Sequence, residues 1–76
     1  MTKKELAARL IAERIPPVFY SLDGGHSPEK LCLRQTPSRW EVYYSERGNE
    51  SDLTTFVSEQ EACDYFYRRI KDALGL

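Results

Sequence analysis

The sequence predicts an α+β fold in which two helices pack on one face of an antiparallel meander of three or four strands. Two observations carry this prediction. Apolar residues recur at helical spacing near both ends of the chain, and the segment between them is rich in strand-forming residues separated by turn signals. A chain of 76 residues forms one small domain, so we expect residues 1–76 to fold as a single globular unit.

The first helix is predicted to start after Thr2, because Thr2 and Glu5 have the spacing of a capping box. Apolar residues then follow at helical intervals, namely Leu6, Ala7, Leu10, Ile11 and Ile15. Pro16 and Pro17 are expected to stop the helix, since proline lacks the backbone N–H and restricts the residue that precedes it.

Strand-forming residues are concentrated in four segments: residues 18–22, 30–35, 39–46 and 53–56. The connections between them are polar or contain glycine and proline: residues 23–28, 36–38 and 47–52. Because these connections are short, neighbouring strands are expected to pair in antiparallel fashion. The segment over residues 53–56 is the shortest, which leaves the sheet at three or four strands.

The third strand has the clearest alternation, and successive strand residues face opposite sides of a sheet. One face is apolar and is expected to lie under the helices, with Trp40, Val42 and Tyr44, joined by Leu31 and Leu33 from the second strand. The other face is expected to be open, with Arg34, Arg39, Glu41 and Tyr43. Alternation therefore separates the two adjacent tyrosines.

The second helix is predicted to begin after Ser58, because Ser58 and Glu61 repeat the capping-box spacing. Its apolar stripe consists of Ala62, Cys63, Phe66, Ile70 and Ala73. Gly75 follows the last turn, where a left-handed cap is favoured.

The composition argues against several broad classes of protein. Eleven basic and 12 acidic side chains give a net charge of −1, which argues against a general nucleic-acid or membrane binder. Charged residues interrupt the apolar positions of the N-terminal segment, so we expect no signal peptide and a cytoplasmic location. Cys32 and Cys63 are then expected to be reduced thiols.

No residue pattern points to catalysis, a metal or a cofactor. His26 has Asp23 and Ser27 near it in sequence, but three neighbours in one loop do not form a catalytic triad with an oxyanion site. The cysteines and His26 lack the spacing of a zinc site, and Gly24-Gly25 lacks the pattern of a phosphate loop. We therefore expect a protein that is not an enzyme, with no catalytic residues, no metal and no cofactor.

A protein-binding surface is the remaining candidate, formed by the open sheet face and the acidic loop that follows the third strand. Its residues are Arg39, Tyr43, Glu46, Arg47, Glu50 and Asp52. Tyrosine and arginine are enriched at interface hot spots, and acidic loops steer association with basic partners. An equally supported alternative is that the loop is a solvated turn and that Tyr43 packs across strands.

RNA binding is a second alternative, because α-β-β-β-α is also the element order of the double-stranded-RNA-binding fold. Such modules contact phosphates through basic residues near the start of the last helix. Here that helix begins with Glu59 and Glu61, which would repel phosphate. We therefore expect no nucleic acid among the partners.

Two segments, WEVYYSERG at residues 40–48 and LTTFVSEQEACDYF at residues 53–66, resemble small bacterial immunity proteins of polymorphic toxin systems. These systems include Rhs-type and NAD-consuming toxins. The matching features are Trp40, the tyrosine pair, Glu46-Arg47-Gly48, Phe56, Glu61-Ala62-Cys63, Tyr65 and Phe66. The resemblance implies a cytoplasmic antitoxin that binds one cognate toxin domain as a monomer in a 1:1 complex. Toxins of such systems include ADP-ribosyltransferases and other NAD-consuming enzymes, and the antitoxin would occlude the active site of its cognate toxin.

Overall fold

The computed structural model describes residues 1–26 and 28–76. In this part of the chain one helix precedes four strands in the sequence and a second helix follows them. This confirms the predicted α+β class, element order and strand count. The helices are α1 (Lys3–Ala12) and α2 (Glu59–Ala73). The strands are β1 (Tyr20–Ser21), β2 (Lys30–Gln35), β3 (Trp40–Glu46) and β4 (Asn49–Phe56), and a 3₁₀ turn (Pro17–Phe19) precedes β1.

Both helices begin at the residues that the sequence predicts. Thr2 Oγ1 accepts the Glu5 N–H at 3.1 Å, and the Glu5 carboxylate accepts the Thr2 N–H at 2.7 Å, so the first capping box is complete. At α2, Ser58 Oγ accepts the Glu61 N–H at 3.2 Å. The reciprocal bond from Glu61 is missing among the described residues, so Ser58 caps this helix without a full box.

α1 ends earlier than the prolines require, because a left-handed residue turns the chain at its C-terminus. Arg14 has φ 59°, its N–H bonds the Ile11 carbonyl, and the Ile15 N–H bonds the Leu10 carbonyl, each at 3.0 Å. This is a Schellman motif, which returns an apolar side chain to the helix that it ends. Ile15 is accordingly buried beside Leu10 in the core.

The sheet has the order β1-β2-β3-β4, with β2–β3 and β3–β4 antiparallel. The β1–β2 pair is parallel, so the prediction of an antiparallel meander is wrong for β1. Parallel strands usually need a long crossover. Here β1 has two residues, so the chain must return only about 7 Å along the strand before β2 starts.

β4 is longer than predicted, because the connection before it has only two residues. Arg47 and Gly48 have φ values of 50° and 82°, the geometry of a two-residue type I′ turn, which matches the twist of paired strands. The expected loop over residues 47–52 is therefore mostly strand. Tyr43 is opposed by both Asp52 and Leu53, and this bulge gives Asp52 a φ of 54°.

The hydrophobic core lies between the two helices and the apolar sheet face. Its buried residues are Leu6, Leu10, Ile15, Leu31, Leu33, Val42, Ala62, Cys63, Phe66 and Ile70. Trp40 packs against this cluster as expected and is half-buried. No helix in the described part of the chain combines the length and apolar character that a bilayer crossing requires.

Candidate partner-binding surface

The sheet face turned away from the helices, which we call the second face, is covered rather than open. Tyr43 is 0% exposed there, so the expectation that it is available to a partner is wrong. Its hydroxyl group donates a hydrogen bond to the Gly25 carbonyl oxygen at 2.7 Å, and the Arg34 guanidinium lies 4.4 Å from the ring centroid. The loop after β1 and Arg34 therefore shield the ring from solvent, and Tyr43 packs as a structural residue.

Arg34 joins two carboxylates above the Tyr43 ring. Its Nε donates to Glu41 Oε1 at 2.7 Å, while Nη1 and Nη2 donate to the two oxygens of Glu50 at 2.7 and 3.1 Å. The hydrogen bonds from Arg34 lower the pKa of Glu50, with a smaller contribution from His26, and Glu50 in turn raises the pKa of Arg34. Bidentate pairs of this kind have fixed geometry. Glu50 is therefore held in position rather than free to rotate.

Two further residues complete this charged network. Arg39 Nε donates to Glu41 Oε2 at 3.1 Å, so the 4% exposed Glu41 carboxylate has two arginine partners. His26 Nε2 lies 2.9 Å from Glu50 Oε2, which connects the loop after β1 to β4. Sequence reasoning missed this role for His26, because 24 residues separate it from Glu50. The two carboxylates use most of their acceptor capacity inside the protein.

The predicted site residues consequently divide into two groups. Tyr43 is buried, and Glu50 and Arg39 are engaged in the network. Glu46, Arg47 and Asp52 are exposed, and none of them makes a salt bridge within residues 1–26 and 28–76. The type I′ turn fixes Glu46 and Arg47 at the hairpin tip, while the bulge places Asp52 on β4. The exposed carboxylates at this end of the sheet are thus presented by a paired β-hairpin rather than by an irregular loop.

A small apolar cleft lies on the helix side of the sheet. It has a volume of about 240 Å³ and is lined mainly by Phe19, Leu31, Tyr44, Ile70, Ala73 and Leu74, with Glu29 and Arg69 contributing polar groups. This is smaller than the roughly 300–1,000 Å³ of ordinary ligand pockets. Tyr44 therefore lies on the helix side of the sheet, as the strand alternation predicts.

Both cysteines are free and buried. Burial raises the pKa of Cys63 to about 11 and also raises the pKa of Cys32. Cys63 belongs to the helix-side core, whereas Cys32 pairs with Tyr43 across β2 and β3. Because the thiolate is the reactive form, both side chains act here as small apolar residues. Within the described residues, no cluster of His, Cys, Asp or Glu is arranged to hold a metal ion.

The fold and the surface define a small α+β protein with an acidic hairpin and a covered second face. No family model matches the sequence, and no curated protein or solved structure matches it either.

Proposed function

We propose that this protein is an immunity protein, an antitoxin that binds a cognate bacterial toxin domain in the cytoplasm and occludes its active site. The observation that carries the proposal is the paired β3–β4 hairpin, which presents Glu46 and Asp52 as exposed carboxylates. The resemblance of residues 40–48 and 53–66 to immunity proteins of polymorphic toxin systems supports the same function.

An NAD-consuming toxin, such as an ADP-ribosyltransferase, is the kind of partner that this surface suits. NAD carries a negatively charged pyrophosphate, so a cleft that binds it is expected to be electropositive. Exposed carboxylates along the hairpin complement such a cleft and accelerate encounter with it. A turn whose flanking strands are paired before binding loses little conformational entropy on binding. The resemblance supports a monomeric antitoxin in a 1:1 complex.

The division of the site residues refines the proposed contact. Glu46, Arg47 and Asp52 are expected to touch the toxin directly. Glu50 ties β4 to β2 through its hydrogen bonds with Arg34, while Arg39 pairs with Glu41 at the start of β3. Tyr43 supports the surface from inside the protein.

Co-expression with a toxin domain encoded beside this gene tests the proposal. The test variant combines Glu46→Lys with Asp52→Asn, since asparagine tolerates the left-handed backbone at residue 52. The control combines Asp72→Lys with Ala8→Lys, two exposed helix positions, and changes the net charge equally. We expect the test variant to lose protection and the control to keep it. A folded test variant that protects cells fully would contradict the proposed contact.

RNA binding is the second candidate, because α1, β2, β3, β4 and α2 follow the order of the double-stranded-RNA-binding fold. Electrostatics at the start of α2 disfavours it. Glu59 accepts the Lys3 N–H at 2.8 Å, and the Lys3 ammonium group binds Asp23 at 2.8 Å. A shift assay with duplex RNA at physiological salt should show no binding, and tight, salt-sensitive binding would favour this candidate instead.

A further inference from the structure

β4 is an edge strand whose outer side has no strand neighbour in the described part of the chain. It runs for eight residues, and all but two of them are exposed. An edge strand presents unpaired backbone N–H and C=O groups, to which a further strand can add. The two halves of this edge differ in how open they are to such pairing.

The first half of β4 carries two features that oppose strand addition. Glu50 and Asp52 place charge on the edge, and the bulge at Asp52 interrupts the regular extended backbone. Natural proteins use charges and bulges of this kind to prevent edge-to-edge association. Pairing with another strand is therefore disfavoured over residues 49–52.

The second half of β4 lacks these features. Residues 53–57 read Leu-Thr-Thr-Phe-Val, with no charge and no proline and with strong strand-forming character. Leu53 is 47% exposed and Val57, just beyond the strand, is 90% exposed. In contrast to residues 49–52, this half of β4 carries no charge or bulge that would oppose the addition of a strand.

Helix α2 braces this unprotected half from behind. The Phe56 and Tyr65 rings lie 5.1 Å apart between centroids, and Thr54 Oγ1 lies 3.3 Å from the Tyr65 hydroxyl group. Arg69 Nη1 in turn donates to that hydroxyl at 2.9 Å. The edge is consequently held in an extended conformation before any partner arrives, which lowers the entropic cost of adding a strand.

The charges at the two ends of this segment indicate the chemistry of the added strand. Asp52 precedes it, and Glu61, which is exposed in the first turn of α2, follows it in the sequence, whereas the Glu59 carboxylate is turned to the Lys3 N–H of α1. A second copy paired in antiparallel fashion about Thr55 would bring the acidic ends of the two chains together, which is unfavourable. A strand with Lys or Arg at both ends would instead meet opposite charge.

We propose that residues 53–57 accept an additional β-strand from a protein partner, and that this strand carries basic residues at its ends and uncharged β-formers between them. The identification of the strand with part of the toxin rests on the proposed function. Because Asp52 lies on β4 between the hairpin turn and residues 53–57, strand addition and the hairpin contact would form one continuous surface along β4.

Amide hydrogen exchange of the full chain, read by NMR, tests the edge without a toxin. The probes are two synthetic peptides that share a core of alternating Val and Thr, one with Lys and Arg at its ends and one with Asp and Glu. We expect the basic-ended peptide alone to slow exchange of outward-facing amides in residues 53–57. Equal protection by both peptides, no protection by the basic-ended peptide, or protection confined to another segment would overturn the proposal.

Variants give an independent readout in the same experiment. Thr55→Lys places a charge at the centre of the exposed edge and should abolish the effect of the peptide, because an edge lysine blocks strand addition. Ala8→Lys makes the same change in net charge on α1, and the peptide should still slow amide exchange at residues 53–57 in this variant. Folding of both variants is checked by circular dichroism, and Val57→Lys replaces Thr55→Lys if the latter unfolds. Undiminished protection in a folded edge variant would contradict the proposal.

Two further measurements separate this inference from the proposed function. Sedimentation of the isolated chain should show a monomer, and a dimer with protected amides at residues 53–57 would make a second copy the occupant and overturn the proposal. In co-expression with the toxin, the Thr55→Lys variant should no longer protect cells from the toxin. If the peptide adds at residues 53–57 but the unmodified chain does not protect cells, the edge site stands and the antitoxin function fails. If Thr55→Lys protects cells fully and the peptide does not add at residues 53–57, the antitoxin function stands and the edge site fails.

Discussion

The hydroxyl group of Tyr43 donates a 2.7 Å hydrogen bond to the carbonyl oxygen of Gly25, which joins the central strand β3 to the loop after β1. Eighteen residues separate the two groups in sequence. This bond, together with the Arg34 guanidinium over the ring, accounts for the burial of an aromatic residue on the face that the helices do not cover.

Removing only the hydroxyl group should therefore have a measurable but modest effect. Tyr43→Phe is expected to lower the free energy of unfolding by about 1 kcal/mol, the usual worth of one such hydrogen bond. Tyr43→Ala should lower it by about 3–5 kcal/mol, since it also leaves a cavity. Urea denaturation measures both effects. Tyr44→Phe is the control, because the Tyr44 hydroxyl makes no hydrogen bond to any other described residue; equal losses at both positions would contradict the assigned role.

Glu13 links the two helices, and its lowered pKa predicts that the stability of the protein depends on pH. Its carboxylate accepts hydrogen bonds from the Lys71 ammonium group at 2.6 Å and from the Tyr67 hydroxyl group. The Lys71 hydrogen bond, followed by that from Tyr67, lowers the pKa of Glu13 to about 2 from an ordinary value of 4.5. The folded state thus binds this proton less readily than the unfolded state does.

A lowered pKa in the folded state stabilises the protein above the unfolded-state pKa, and the contribution is lost as the pH falls. The Glu13 contribution should be fully present above about pH 4.5 and disappear as the pH falls through about 2. Glu13→Gln should therefore lower Tm at pH 7, and the difference from the unmodified protein should shrink across this window. Asp72→Asn, at an exposed α2 position, is the control. A Tm difference that stays constant down to pH 2 would argue against this linkage.

The two helices end in the same Schellman geometry but with different residues at the left-handed position. Arg14 has φ 59° after α1, whereas Gly75 has φ 71° after α2. The Gly75 N–H bonds the Asp72 carbonyl at 3.1 Å, and the Leu76 N–H bonds the Lys71 carbonyl at 2.9 Å. A left-handed backbone costs a residue with a Cβ roughly 1–2 kcal/mol, which glycine avoids.

Arg14→Gly is consequently expected to stabilise the protein by about 0.5 kcal/mol, after the larger chain entropy of glycine in the unfolded state offsets part of the gain. Arg14→Ala removes the same charge without relieving the backbone and should not stabilise it. Thermal and urea denaturation of the two variants compare them directly. If the alanine variant were as stable as the glycine variant, the gain would come from the lost charge rather than from the backbone.

Replacing Ser45 or Ser58 with alanine should change the free energy of unfolding in opposite directions. Ser45 Oγ is buried and has no hydrogen-bond partner among the described residues, so Ser45→Ala should raise the free energy of unfolding by up to about 1 kcal/mol. Ser58 caps α2, so Ser58→Ala should lower it by about 1 kcal/mol. Parallel urea titrations measure both. A clear loss of stability in Ser45→Ala would show that its hydroxyl group has a partner in solution.

The sequence by itself determined the elements that depend on near neighbours. The capping residues Thr2 and Ser58 mark the start of both helices, and alternation places Val42 and Leu33 under them, because each signal is carried by residues a few positions apart. The same alternation correctly separates Tyr43 from the helix-side core. The sequence also contained a signal for the hairpin turn, which the predicted loop over residues 47–52 did not use. Arg47-Gly48 lies between strand-like segments and contains the glycine that a type I′ turn favours.

Only the tertiary structure decided what covers the second face and which candidate residues remain exposed. Tyr43 is buried by Gly25 and Arg34, and Glu50 is held by Arg34 and His26, through contacts between residues distant in the chain. The direction of β1 depends likewise on where the loop after it folds back. Periodicity reports which way a side chain points. It does not report what will lie against that side chain, because the covering segment is chosen by long-range packing and hydrogen bonding.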